Sequence, residues 1–227
     1  MIDKFFASPA AALADVHDNA TVMIGGFGNA GMPSELIDAL IAQGAKGLTV
    51  VNNNAGNADS GLAALIAAGS VRKMICSFPR QADSWHFDKG YREGRIELEL
   101  VPQGTLAERI RAAGAGIGAF FTPTAFGTRL AEGKETRRIG GRDYVLEYPI
   151  HADFALIRAE RADRWGNLVY RKTARNFGPI MAAAAKCTIA QVRHTVALGE
   201  IDPETVVTPG IFVQRVVRIP GAAAKAA

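Results

Sequence analysis

Residues 21–47 read TVMIGGFGNAGMPSELIDALIAQGAKG. The run Thr21-Val22-Met23-Ile24 is apolar, partly β-branched and bounded by glycine, which predicts a short buried strand. Glycines follow at 25, 26, 28 and 31, and Met32-Pro33-Ser34-Glu35 opens a helix. Pro33 suits a first turn, where a missing N–H costs no hydrogen bond. Leu36, Ile37, Leu40 and Ile41 recur at helical spacing, and Gly44 supplies a C-terminal stop. Glycines between a strand end and a helix start let a ligand approach bare backbone N–H groups, and the positive helix end favours an anion. Gly25, Gly26, Phe27, Gly28, Asn29, Ala30 and Gly31 are therefore the expected mouth of a binding site.

Gly26, Gly28 and Gly31 also fit the G-x-G-x-x-G spacing of dinucleotide sites. A dinucleotide fold needs an acidic residue at the end of the next strand to hold the ribose. That strand, Leu48-Thr49-Val50-Val51, ends instead in Asn52-Asn53-Asn54, with no carboxylate. A structural glycine turn and a loop against some other ligand both remain open at this point.

The pattern continues outward as strand, turn and helix. Val71–Cys76 and Ile96–Val101 read as further strands, alternating with helices over 61–68, 82–93 and 106–113. Such an order predicts an α/β fold, a mostly parallel sheet covered by helices on both faces. Ligands of such sheets bind outside the carboxyl ends of the strands. Asn52 and Asn53, then Phe78 and Arg80, then Gln103 all follow strands and are placed there. Asn-rich and Pro-flanked turns have a purely structural reading as well.

On the amino side, Lys4–Val16 reads as an amphipathic helix, with Ser8-Pro9 interrupting it or marking its true start. On the carboxyl side, the glycine-rich 114–124 region reads as a chain reversal under the site. Glu135–Ile139 and Arg142–Tyr148 flank Gly140-Gly141, a pair suited to a two-residue hairpin turn. A small antiparallel flap is expected over about 121–149. The sheet resumes at 154–157, turns at 164–167 and adds a strand at 168–170. A helix over 179–186 and strands over 187–191 and 212–219 complete one domain, 1–220, before an Ala-rich tail, 221–227, expected to be disordered.

A chain of 227 residues, 48% hydrophobic and 21% charged, is long enough for one sizeable core. No apolar run is long enough to span a membrane. The opening MIDKFFASPAAALADV lacks the basic-then-apolar pattern of a secretory signal, so a cytoplasmic location is expected. Cys76 and Cys187 have no Cys or His at zinc spacing and read as packed thiols. The net charge of +4 and pI near 9.2 come from dispersed basic residues. They suit solvated surface or an anionic small molecule better than nucleic acid.

A longer pattern accounts for more of the chain. Asp18-Asn19, Val22-Met23-Ile24, Gly25-Gly26-Phe27 and Gly31-Met32-Pro33 resemble the signature of the family I CoA-transferases, with Asn19 at a position that is often glycine. SFPRQ at 77–81, VPQGTLAERIR at 101–111, FTPT at 121–124, WGNLVYRK at 165–172, ARNF at 174–177 and VTPG at 207–210 extend the resemblance to about residue 218. It implies the A subunit of a 3-oxoacid CoA-transferase, of the 3-oxoadipate-using kind or, alternatively, the acetoacetate-using kind. The implied reaction moves CoA from succinyl-CoA to a 3-oxoacid by ping-pong acyl transfer through a glutamate.

The resemblance places that glutamate in a partner, the B subunit of the CoA-transferase, in an α2β2 heterotetramer. The same partner would also supply most CoA contacts, and the CoA thioester is a substrate, so neither cofactor nor metal is called for. In this chain the family pattern gives Gln103 an oxyanion-stabilising amide and makes the 25–31 loop the wall of the acyl site. Arg80 is the candidate for the second carboxylate of 3-oxoadipate, because arginine binds carboxylates bidentately. Glu35 and Glu108 fall on helices and read as solvated or capping. His17, His86, His151 and His194 show neither triad order nor metal spacing. Two other readings keep the fold: a sugar-phosphate isomerase or deaminase, and a non-enzymatic sugar-phosphate-sensing domain. The first needs its own acid and base, and the second a helix-turn-helix before Thr21; the sequence offers neither.

Overall fold

Alternate residues of the central strands point to opposite faces, and this sorts the core into two layers. Val22 and Ile24 enter one layer and Met23 the other; Phe154 and Leu156 separate from Ala155 and Ile157 in the same way. The computed structural model describes residues 2–219. Its elements in chain order are β1 (Phe5–Phe6), α1 (Pro9–Ala12), β2 (Thr21–Ile24), α2 (Ser34–Gln43), β3 (Leu48–Val51), α3 (Leu62–Ala67), β4 (Val71–Cys76), α4 (Trp85–Arg92), β5 (Glu97–Leu100) and α5 (Gln103–Gly114). They continue with β6 (Phe120–Thr122), β7 (Thr136–Ile139), β8 (Arg142–Glu147), β9 (Ala152–Ala162), β10 (Leu168–Val169), α6 (Gly178–Ala184), β11 (Ala185–Thr195) and β12 (Arg215–Arg218).

The main sheet runs β1-β12-β11-β9-β2-β3-β4-β5, with every neighbouring pair parallel, and β10 adds an antiparallel partner to β9. Leu36, Ile37 and Leu40 of α2, Leu62 and Leu65 of α3, and Phe87 of α4 cover one face. Leu106 and Ile110 of α5 and Met181 of α6 cover the other. Each such side chain, fully buried, contributes about 1.5–3 kcal/mol. The parallel sheet covered on both faces is therefore the architecture expected from the sequence.

Several boundaries differ, each for a local reason. The N-terminal helix is only Pro9–Ala12: Ser8 caps it by accepting the Ala11 N–H at 3.1 Å, and Phe5–Phe6 instead pairs with β12. β9 and β11 reach 11 residues each, well beyond the apolar runs 154–157 and 187–191, because they pair with each other out to Ala162 and Thr195. In β11 the backbone pairing continues past its last buried side chain, Val192, whereas β9 ends on the buried Ala162. Gly210–Phe212 is a 3₁₀ turn, so the last strand starts at Arg215. The tail at 221–227 lies outside the described residues.

β6, β8 and β7 form a separate three-stranded antiparallel sheet. Gly140 (φ +56°) and Gly141 (φ +82°) turn its hairpin, and two consecutive positive φ values are what such a two-residue turn demands. An ionic chain fastens this small sheet to the edge of the large one. Glu147, only 2% exposed, meets Lys134 at 2.6 Å; Arg109 bonds the Tyr148 carbonyl at 2.7 Å and Glu99 at 2.9 Å; Lys73 reaches Glu99 at 2.9 Å.

Candidate active site

The carboxyl ends of β3, β4 and β5 converge through side-chain hydrogen bonds. Asn53 is 4% exposed, and its Oδ1 accepts from Gln103 Nε2 at 2.9 Å and from Ser77 Oγ at 2.7 Å. The Asn53 carbonyl accepts the N–H groups of Ser77 and Phe78 at 3.2 and 3.0 Å, prolonging the β3–β4 pairing past its last residues. Gln103 is not in the loop ahead of a helix, as the Pro102-Gln103-Gly104 turn suggested; it is the first residue of α5, with Pro102 as the capping residue. First-turn N–H groups have no intrahelical acceptor and carry the positive end of the helix dipole. One Gln103 N–H is committed to Asn53, and the other remains free on an exposed side chain. An amide donor fixed at a helix N-terminus is suited to a developing oxyanion.

Asn52 plays a different part. It is fully buried, donates from Nδ2 to the Ile24 carbonyl at 2.5 Å, and accepts the Asn54 N–H at 2.9 Å. Its amide ties the end of β3 to the end of β2. Arg80 is engaged elsewhere in this chain. Its side chain is 63% exposed, pairs with Asp88 of α4 at 2.8 Å, and does not line the cavity beside Gln103. The helix begins just beyond it, and the nearest carboxylate captures the guanidinium.

Gly25–Gly31 does not wrap a helix end. Phe27 and Ala30 exchange both backbone hydrogen bonds, at 3.0 and 3.2 Å, so Gly28 and Asn29 form the tip of a tight reversal, with Gly28 at φ +57°. Asn176 clamps the loop from across the sheet: Oδ1 accepts the Gly26 N–H at 3.2 Å and Nδ2 donates to the Ala30 carbonyl at 2.9 Å. Gly31 (φ +76°) lies so close to Ala174 that an added Cβ would stand 2.5 Å from its carbonyl oxygen. The start of α2 is occupied as well, since Gln191 Oε1 accepts the Leu36 N–H at 3.2 Å and its Nε2 donates to Glu35. One first-turn N–H of α2 is thus satisfied from within, while Ser34 at the helix start lines a cavity. Asn176, Gln191 and Ser77 were not singled out from the sequence; Asn176 and Ser77 lie in ARNF and SFPRQ, whose order was visible but whose contacts were not.

Two cavities of about 420 Å³ share Gly28, Asn54 and Gln81. One is bounded by Phe27, Asn53, Ser77, Phe78 and Gln103; the other extends along Asn57, Ser60 and Gly61 toward α3. Phe27 and Phe78 are 50% and 57% exposed at the rim. No residue lining either cavity is charged. The arrangement can polarise a carbonyl and present apolar rims, but it holds no group able to attack. Elsewhere, burial pushes the Cys76 thiol up to about 12 and raises Cys187, so neither is a ready nucleophile. His86 pairs with Asp59 at 2.7 Å, outside both linings. Among the described residues no group of His, Cys, Asp or Glu is placed to hold a metal ion, and no helix is long and apolar enough to cross a membrane.

Comparison with known proteins bears on the whole chain. The family described as Coenzyme A transferase matches residues 6–218. The A subunit of the 3-oxoadipate CoA-transferase of Pseudomonas putida is 69% identical over 224 residues, covering 99% of this chain and 97% of that protein. The protein of the same description from Acinetobacter baylyi is 66% identical over 227 residues, covering 100% of both. Among solved structures, an acyl-CoA transferase from E. coli O157:H7, crystallised as a thioester complex with CoA, superposes with a TM-score of 0.85 at 21% identity. That match covers 98% of this chain and 50% of the other, and at such identity it is a likeness of fold alone.

Proposed function

The chain belongs to the Coenzyme A transferase family, and on that premise we propose that it is the non-nucleophilic subunit of a two-chain enzyme moving CoA from succinyl-CoA to 3-oxoadipate. The observation that carries this reading is the site's composition. Gln103 is held by Asn53 at the start of α5, over a cavity whose lining contains no carboxylate. An oxyanion donor without a nucleophile is half a site, and an attacking glutamate from a second chain completes it. The α2β2 arrangement proposed here pairs each copy of this chain with one such partner.

In this mechanism the partner's glutamate attacks the succinyl-CoA carbonyl, and the C–O bond forms as charge moves onto the carbonyl oxygen. The free Gln103 N–H donates to that oxygen while α5 adds its dipole. CoA thiolate leaves, giving a mixed anhydride, then attacks the glutamyl carbonyl and expels succinate. The 3-oxoacid carboxylate attacks the resulting enzyme thioester, and the released thiolate cleaves the second anhydride at its acyl carbonyl, giving 3-oxoacyl-CoA and the free glutamate. Each step passes an acyl group between a carboxylate oxygen and the CoA sulfur through intermediates that water would hydrolyse, so water must be kept out. CoA enters as a substrate thioester, and no metal or resident cofactor has a part. Gln103 and Phe78 are exposed in this chain, so closure over them falls to the partner.

The purified chain should show no CoA transfer alone and should gain it on addition of the glutamate-bearing partner, followed as 3-oxoadipyl-CoA formation. Substantial turnover by the chain alone would defeat the two-chain reading.

A further inference from the structure

The direction of chain progression reverses between β2 and β9: β2 to β5 build one side of the sheet, and β9, β11 and β12 the other. In open α/β sheets this switch point is where ligands lodge, outside the carboxyl ends of the strands. Here β9 outruns its neighbour. Its pairing with β2 ends at Leu156, and β10 takes up the same edge only at Arg161 and Ala162. Residues 157–160 therefore have no strand beside them on that edge. The gap is closed above by Asn29–Gly31 on one side and by residues 171–174 on the other, leaving a cavity of about 220 Å³. This is smaller than the roughly 300–1,000 Å³ of sites that enclose whole ligands. It suits one charged group of a larger molecule.

The lining is basic: Arg158, Arg171 and Lys172 stand against one acid, Glu160. Among the described residues no carboxylate forms an ion pair with any of these three cations, whereas Arg80, Arg109 and Arg215 all have one. The loop presenting two of them is held in a costly shape. Lys172 sits at φ +49°, a left-handed conformation that disfavours a side chain, while Asn176 locks the loop onto Gly26 and Ala30. Uncompensated cations on a fixed, strained backbone at a topological switch point call for an anion.

We infer that this cavity is an anion subsite of the chain itself, taking a phosphate group of the CoA substrate. It lies across the Gly28–Asn29 tip from Gln103, so the long pantetheine arm would pass over the glycine reversal. The assignment rests on the CoA-transferase reading for its ligand, but it differs from leaving the phosphates to the second chain.

Calorimetric titration of the full chain with CoA tests it, with pantetheine as the phosphate-free probe. CoA should bind with an affinity that falls as salt rises, and pantetheine should not bind measurably. Arg171→Glu, an exposed position, should weaken CoA by about tenfold or more through loss of a charge-assisted contact. Lys172→Gly separates ligand from scaffold: relief of the positive φ should raise the melting temperature while CoA binding weakens. Unchanged CoA affinity in both variants, equal binding of pantetheine, or no binding of CoA to the wild-type chain would each overturn the subsite. If the two-chain complex transfers CoA but Arg171→Glu leaves the KM for succinyl-CoA unaltered, the subsite falls and the proposed function stands. If CoA binds through Arg171 yet 3-oxoadipate is not an acceptor, the function falls and the subsite stands.

Discussion

Gln103 and Asn53 act as a unit, one donating and the other fixing the donor. Removal of an oxyanion donor costs about 100–1,000-fold in kcat, so Gln103→Ala in the assembled enzyme should fall by that amount with its fold intact. Asn53→Ala should cost about tenfold to a hundredfold by misplacing the amide. Because the two share one hydrogen bond, the double variant should be little worse than Gln103→Ala alone; additive losses would give Asn53 an independent role. Arg80 is expected to behave as surface. Exposed ion pairs contribute about 0–1 kcal/mol, so Arg80→Gly should barely change denaturation. It should alter KM for 3-oxoadipate and acetoacetate equally, and a selective rise for 3-oxoadipate would return Arg80 to substrate recognition. The position of Gln103 at the carboxyl edge was legible because it follows a strand and Pro102, while its proposed role came from the family pattern at 101–111. The fate of Arg80 was not legible, since its partner Asp88 becomes its neighbour only once α4 starts at Trp85.

The glycine reversal is the element on which both cavities depend, and its glycines are not equivalent. An added Cβ at Gly31 meets the Ala174 carbonyl at 2.5 Å with φ at +76°, whereas one at Gly28 meets nothing within 4 Å. Gly28→Ala should therefore cost only about 1 kcal/mol, the backbone penalty of a left-handed residue. Gly31→Ala should cost clearly more than the roughly 1 kcal/mol set by backbone alone, because the loop must also part from residues 171–176. Urea denaturation of the two variants, read at equal m-values, checks the ranking. The loop itself was plain from glycine spacing beside a β-branched run. What it does was not, because the residues that cap and clamp it, Gln191 and Asn176, lie about 150 positions away and arrive through β11 and the turn before α6.

At the scale of the molecule, the small antiparallel sheet is joined to the large one through charge. Burial pushes Glu99 up, but hydrogen bonds and charge from Lys73 and Arg109 outweigh it and hold the carboxyl below its ordinary value. A depressed folded value means that this contribution is fully present above the unfolded pKa of about 4.3 and is lost as pH falls through the lower folded value. Melting temperature should accordingly drop in that acid range, and Glu99→Gln should flatten the drop; an identical acid profile would remove Glu99 from the linkage. Cys76, fully buried, should react with iodoacetamide only through unfolding, so its labelling rate should follow denaturant-induced opening. The sequence by itself determined the parallel α/β architecture, the presence of a glycine loop after β2 and the family, because these are written in local periodicity, in turn chemistry and in motifs of adjacent residues. Only the tertiary structure decided that Asn52 ties strands, that Asn53 holds Gln103 and that Arg158 and Arg171 line one cavity beside a gap in the sheet. A side chain's role depends on which hydrogen-bond or charge partner reaches it first, and those partners are set by strand order, which separates near neighbours and joins distant ones.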